Sequence, residues 1–157
     1  METQEIERKF LLIDDSWKNG LTGTPYKQAY LSSNPDRIVR IRVAGDKAFI
    51  TIKGKPAPES ISRPEYEYEI PLEDAEYMYE NLCEPEKIEK TRYLYEFKGH
   101  IWEIDEFHGE NEGLIVAEIE LKSEDETFEK PDWLGKDISF DYKYTNNNLA
   151  KKPYTSW

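Results

Sequence analysis

Eight short stretches of this chain alternate, residue by residue, between apolar and polar side chains, and in nearly every stretch the polar set is charged. Strand side chains point to opposite faces in turn, so residues two apart share a face. Glu5, Glu7 and Lys9 therefore stand together in Glu5–Leu12, opposite Ile6 and Phe10. In Arg37–Ala44, Arg40 and Arg42 oppose Val39, Ile41 and Val43; in Lys47–Lys53, Thr51 and Lys53 oppose Ile50 and Ile52. Glu65, Glu67 and Glu69 share a face of Glu65–Ile70, and Lys90 and Arg92 share one of Glu86–Phe97. Asp105 opposes Trp102 and Ile104 in His100–Phe107, and Glu118 and Glu120 oppose Ala117, Ile119 and Leu121 in Leu114–Lys122. Tyr26–Ser32 completes the set.

A sheet with one wet face explains any single strand of this kind. The set is different, because Arg-x-Arg and Glu-x-Glu place like charges side by side, which costs energy unless a ligand or metal of opposite sign neutralises them. Eight strands suffice to close a barrel. Closed on their charged faces, they enclose Lys9, Arg40, Arg42, Lys53, Lys90 and Arg92 together with Glu5, Glu7, Glu65, Glu67, Asp105, Glu118 and Glu120. The expected fold is mainly β (α+β): a closed eight-stranded antiparallel barrel with a polar interior and helices packed outside. Its cations would grip phosphate oxygens, Arg through paired planar donors and Lys as compact charge. Its carboxylates would hold hard divalent ions that bridge the same phosphates.

Helices are the minority. Pro71–Cys83 opens with Pro and two acids and spaces Leu72, Ala75, Tyr79 and Leu82 as one apolar helix face. Ser123 and Glu126 have the spacing of a capping box, which predicts a short helix ended by Pro131. Asp14–Asn19 and Thr145–Ala150 are each expected to form a turn or two. Ala44-Gly45-Asp46-Lys47 and Lys98-Gly99 are hairpin turns, and Gly54–Pro64, with its prolines, is a loop. No linker or repeat interrupts residues 1–157, so one domain is expected.

Bulk composition limits the ligand. The formal net charge is -12 and 34% of residues are charged, yet aromatics reach 13%, so a folded chain is expected rather than a disordered acidic one. An acidic surface repels nucleic acid at long range, so a polyanion must be bound by a local basic cluster. Cys83 is the only cysteine and there are 2 histidines, which excludes an internal disulfide and the usual zinc motifs. Carboxylate ligands favour Mg²⁺, Mn²⁺ or Ca²⁺. The first residues lack the basic start and apolar run of a signal peptide, and no apolar stretch is long enough to span a bilayer, so the cytosol is the expected location.

Glu5-Ile6-Glu7-Arg8-Lys9 resembles the N-terminal Glu-x-Glu-x-Lys signature of the CYTH superfamily, the triphosphate tunnel metalloenzymes. Further similarities follow in the family's order: Gln28-Ala29-Tyr30-Leu31, Arg40-Ile41-Arg42, Thr51-Ile52-Lys53, Arg63-Pro64-Glu65-Tyr66-Glu67, Glu89-Lys90-Thr91-Arg92-Tyr93, Trp102-Glu103-Ile104-Asp105-Glu106-Phe107 and Ala117-Glu118-Ile119-Glu120-Leu121. The first motif alone is weak in so acidic a chain. Eight in order are specific.

The resemblance implies a divalent-metal-dependent hydrolase, with Mg²⁺ or Mn²⁺ as cofactor and a small-molecule triphosphate as partner, and neither nucleic acid nor membrane. It implies Glu5, Glu7 and Glu120 as the main metal ligands, with Glu65, Glu67, Asp105 and Glu118 in the wider carboxylate set around a second metal or its waters. Lys9, Arg40, Arg42, Lys53, Lys90 and Arg92 would hold the phosphates, and Lys9 with Tyr30 would help activate water. Without the resemblance, Tyr30 reads as a packing residue. Arg63 has two readings, a phosphate contact or an inward ion pair with Glu65. Glu69 and Glu103 have interior parity near the tunnel mouths, His100 and His108 are expected to be exposed, and Asn146-Asn147-Asn148 is expected to pack or close the tunnel. Similarity to the short bacterial members points to inorganic triphosphate, cleaved to pyrophosphate and phosphate. A class IV adenylate cyclase, a thiamine triphosphatase and a non-catalytic polyphosphate or nucleotide binder are the alternatives. Many relatives dimerise, which leaves a homodimer open.

Overall fold

The computed structural model describes residues 3–157. Nine strands form one antiparallel sheet: β1 (Gln4–Leu12), β2 (Thr24–Asn34), β3 (Arg37–Ala44), β4 (Lys47–Gly54), β5 (Ser62–Ile70), β6 (Lys87–Phe97), β7 (His100–Phe107), β8 (Ile115–Glu120) and β9 (Leu134–Asp137). Their order is β5-β4-β3-β2-β6-β7-β8-β1-β9, and a further pairing of β5 with β1 closes β1 to β8 into the expected eight-stranded barrel. The seam is short: Gln4, Glu5 and Ile6 of β1 pair with Pro64, Arg63 and Ser62. Pro64 lies near the start of its strand, as a residue without an amide donor should.

The ninth strand is a departure from the expected eight. It pairs with β1 at Phe10 and Leu12, beyond the residues that β5 takes. Gly135 permits that approach, since a Cβ there would stand 2.9 Å from the Leu11 carbonyl oxygen. The hairpins follow their turn residues: Lys98 and Gly99 have φ of 50° and 85°, as a two-residue loop with both central residues left-handed requires.

Among the described residues there are two α-helices: α1 (Leu72–Asn81) packs on the outside of the barrel, and α2 (Asn146–Lys151) packs against the apolar end of its interior. The buried stripe of α1 is narrower than expected. Ala75 and Tyr79 are buried and Met78 packs beside them, whereas Leu72, the first residue of the helix, and Leu82, just past its last residue Asn81, are 37% and 58% exposed. The helix expected after Ser123 does not form. The Glu126 carboxylate does reach back, to the Lys122 amide at 2.5 Å, but the Ser123 hydroxyl bonds Asp125, and the chain then runs irregularly to seat Phe128 and Trp133. Short 3-10 turns at Ser16–Lys18 and Tyr142–Tyr144 flank these elements.

The apolar core lies in three patches, two outside the barrel and one inside its end. Phe10, Trp102, Ile104, Ala117 and Ile119 project outward from β1, β7 and β8 and are covered by Trp17 and Trp133. Ile41, Val43 and Ala48 lie under α1. Ile88, Phe107 and Val116 share the inward faces of β6, β7 and β8 with Lys90, Asp105 and Glu118, and together with Leu149 and Ala150 of α2 they fill one end of the barrel interior. Each fully buried side chain of this size is worth about 1.5–3 kcal/mol, so these patches supply the stability that the charged part of the interior withholds. No helix among the described residues is long and apolar enough to cross a membrane.

Candidate active site

Register brings the inward residues into contact. Glu7 faces Glu120 and Lys9 faces Glu118 across β1 and β8; Tyr30 faces Arg40, Arg40 faces Thr51, Lys53 faces Glu65, and Arg92 faces Asp105. A cavity of about 140 Å³ lies inside the barrel, lined by Glu5, Glu7, Lys9, Tyr30, Arg40, Arg42, Lys53, Glu65, Glu67, Lys90, Arg92, Glu118 and Glu120, with Arg63 and Glu103. Asp105 is absent from that lining. Its carboxylate, 0% exposed, accepts from Arg92 Nε at 2.8 Å, Arg92 Nη2 at 2.9 Å and Lys90 Nζ at 2.7 Å. It lies behind the two cations and props them toward the lumen.

One group of acids is gathered tightly. Carboxylate oxygens of Glu5, Glu7 and Glu120 lie within 4.8 Å of one another, from buried Glu5 to exposed Glu120, so an ion reaches them from solvent. Burial, then the charges of Glu118 and Glu5, hold the Glu7 carboxyl well above its usual range. Burial and Glu103 raise Glu120, and burial with Glu5 beside it pushes Glu65 up to about 7. Acids held together at this cost, with hard oxygen donors converging from three side chains, fit a divalent cation, which would relieve the repulsion. Glu5 and Glu118 differ. Burial alone would raise both, but Lys53 and Arg63 beside Glu5, and Lys9 and Arg92 beside Glu118, outweigh it and keep both ionised.

The cations divide by what already neutralises them. Lys53 pairs with Glu5 at 2.9 Å and Glu65 at 3.4 Å, and Arg92 is held by Asp105 and by Glu103 at 2.8 Å. Lys90 is 1% exposed; burial lowers its pKa to about 7 against the pull of Asp105. Arg40 reaches Glu67 only at 3.6 Å, and its buried Nε has no partner among the described residues. Arg42 enters none of the ion pairs formed among the described residues; Gln28 Oε1 accepts from its Nε at 2.9 Å. Burial and the charges of Arg40 and Arg92 lower the Arg42 pKa to about 10. An orphaned guanidinium donor beside a guanidinium without a carboxylate partner among the described residues has the chemistry to accept an anion.

Lys9 and Tyr30 both line the cavity. Lys9 Nζ donates to the Tyr144 carbonyl at 3.3 Å and lies 3.6 Å from Glu118. Tyr30 is 3% exposed, and burial raises its hydroxyl above the usual value, so it is neutral. The Asn-rich segment also reaches the lumen: Asn146 Oδ1 accepts from Gln28 Nε2 and Lys90 Nζ, each at 2.9 Å, and Thr145 and Asn147 line the same cavity. Arg63 pairs with Glu5 at 3.1 Å, not with Glu65. Glu103 is inside, whereas Glu69 is exposed. His108 is exposed as expected, but His100 is half-buried and bonds Glu126 at 2.7 Å.

A wider cavity of about 500 Å³ shares Glu5, Glu7, Lys9 and Arg63 with the tunnel and is walled by Pro56, Pro58, Ile61, Ile138 and Tyr142. Asn146 reaches the lumen in keeping with the packing or tunnel-closing part expected of the Asn run, whereas no pattern in the sequence assigns a contact to Tyr26 or to the Gln28 side chain.

The CYTH domain profile matches residues 3–154. An inorganic triphosphatase of Acetivibrio thermocellus is 48% identical over 154 residues, covering 98% of this chain and 97% of the relative. A second inorganic triphosphatase, from Nitrosomonas europaea, is 36% identical over 151 residues, covering 93% and 96%. A solved inorganic triphosphatase superposes with a TM-score of 0.63 at 34% identity, covering 96% of this chain and 95% of that one. A putative adenylate cyclase from Bacillus halodurans, 16% identical with a TM-score of 0.60, covers 78% of this chain and 84% of its own and shares the fold. By sequence, topology and inward charge, the chain belongs to the CYTH family.

Proposed function

We propose that this protein is a divalent-metal-dependent triphosphatase that hydrolyses inorganic triphosphate to pyrophosphate and phosphate, acting in the cytosol. The observation that carries this reading is that under-neutralised arginines and a crowded carboxylate cluster line one narrow lumen. Glu5, Glu7 and Glu120, with Glu65, Glu67 and Glu118 around them, would hold Mg²⁺ or Mn²⁺. When bound, the ion neutralises phosphate oxygen charge and acidifies water.

Phosphoryl transfer asks mainly for in-line placement and charge neutralisation. Arg40 and Arg42 grip oxygens of the chain, while Lys53, Lys90 and Arg92, already paired with acids, define its path. Asp105 acts from behind Lys90 and Arg92 as a positioning residue, a role different from the metal ligation that the resemblance implied. Water attacks the terminal phosphorus, the anhydride bond breaks, pyrophosphate leaves with the electron pair, and the water's proton passes to the departing phosphate oxygens or to solvent. Lys9 offsets charge at the attacking oxygen, and the neutral Tyr30 hydroxyl orients the water.

The wide apolar-walled cavity beside Glu5 and Glu7 favours one second reading, an organic triphosphate whose organic group rests against Pro56, Pro58 and Tyr142. Initial rates on inorganic triphosphate, ATP and thiamine triphosphate, with products separated by ion exchange, decide between them. Inorganic triphosphate should give the highest kcat/KM and equal amounts of phosphate and pyrophosphate. Cyclic AMP from ATP, or preference for an organic triphosphate, overturns the primary reading.

A further inference from the structure

The two arginines Arg42 and Arg92 share an aromatic neighbour. Tyr26 lies on β2, which runs between β3 and β6. Arg42 pairs with Gln28 on one side of β2, and Arg92 pairs with Thr24 on the other, so each guanidinium stands diagonal to Tyr26 from an opposite flank. The Arg42 guanidinium carbon is 5.0 Å from the Tyr26 ring centroid and that of Arg92 is 4.9 Å from it. Both distances are within the range in which an aromatic quadrupole attracts a cation, and the attraction grows when the cation is desolvated.

Arg92 has two carboxylate partners; among the described residues Arg42 has none, and the carbonyl of Gln28 is the acceptor that fixes its Nε. Two guanidiniums at close quarters repel each other unless something neutral and electron-rich attracts both. We propose that Tyr26 is a positioning residue for the phosphate grip: its ring holds Arg42 and Arg92 in the aspect in which their remaining N–H donors face the lumen. The phenol oxygen plays no part, since Tyr26 forms no side-chain hydrogen bond among the described residues. The ring acts through the arginines and touches no reacting atom, so its loss weakens triphosphate binding more than it slows chemistry.

The proposal rests on the triphosphatase reading, and the test keeps the two apart by measuring binding and turnover in the same preparations. The variants are Tyr26→Phe, Tyr26→Leu, and a Phe series at position 26 carrying one, two or three ring fluorines, which withdraw electron density at nearly constant shape. The full-length protein is used, with Mg²⁺ and inorganic triphosphate for turnover and a non-hydrolysable triphosphate analogue for calorimetry. Tyr26→Phe should stay within about twofold of wild type in affinity and KM, and Tyr26→Leu should weaken both by roughly three- to tenfold with a smaller change in kcat. Affinity should fall stepwise with each fluorine, which a ring that only fills space would not produce. Equal affinity across the fluorine series, or a Tyr26→Phe loss as large as that of Leu, overturns the proposal. A wild-type protein that binds the analogue but does not hydrolyse triphosphate overturns the functional reading alone, because the binding series still reports on the ring.

Discussion

Glu7 of β1 is the direct cross-strand partner of Glu120 of β8, and both carboxyls are pushed above their ordinary range by burial and by other acids. Like charges directly opposite one another destabilise a sheet. This pair is therefore a local cost in the protein alone and a benefit when a cation lies between its oxygens.

A pH effect on the metal-free protein follows. Glu65 has a folded pKa of about 7 against an ordinary 4.5, and Glu7 and Glu120 shift in the same direction. Between those values the folded state binds more protons than the unfolded one, so stability rises as pH falls from about 7 to about 5. Lys90, lowered to about 7, changes its contribution above that window, where the unfolded state holds the extra proton. Melting temperature in chelator should climb across the window, and saturating Mg²⁺ should flatten the climb. A falling melting temperature in chelator would falsify this account of the acids.

Asp105→Asn should separate propping from metal binding. Weakening a buried ion pair of this kind costs up to about 3–5 kcal/mol, so the variant should unfold at markedly lower denaturant. Its KM for triphosphate should rise while the Mg²⁺ concentration for half-maximal activity stays near wild type. Should that concentration rise as steeply as in Glu7→Gln, Asp105 is a metal ligand after all.

Arg42→Ala and Lys9→Ala should fail in different ways. A lost charged hydrogen bond is worth about 1.5–3 kcal/mol, so Arg42→Ala should raise KM by roughly 10- to 100-fold. Lys9→Ala should lower kcat by about 100-fold with a modest change in KM. Analogue binding, measured directly, should fall in the first and largely survive in the second. Equal loss of binding in both, with normal single-turnover rates at saturation, makes Lys9 another phosphate clamp.

The barrel and its charged lumen were legible because strand parity is a property of the sequence itself: Glu5, Glu7 and Lys9 share a face wherever β1 pairs. What parity does not contain is register across strands. The contact of Tyr26 with both Arg42 and Arg92, and the pairing of Arg63 with Glu5 rather than its strand neighbour Glu65, depend on which residues the ladders place side by side. β9 was hidden for a related reason. Leu134-Gly135-Lys136-Asp137 has no apolar alternation of its own and becomes a strand because β1 offers it an edge. The helix expected after Ser123 failed because the local signal of a capping box was outweighed by burial of Phe128 and Trp133 against Phe10 and Trp102.

The central claim is that acids and cations of one tunnel act together on a triphosphate. Phosphate release from inorganic triphosphate, followed in parallel for wild type and Glu7→Gln across a Mg²⁺ titration that begins in excess chelator, tests it most directly. Wild type should be silent in chelator and saturate with Mg²⁺, and Glu7→Gln should need more metal and reach a much lower plateau while melting in chelator no earlier than wild type. Full wild-type turnover in chelator, or a Glu7→Gln titration that overlays wild type, would contradict the account.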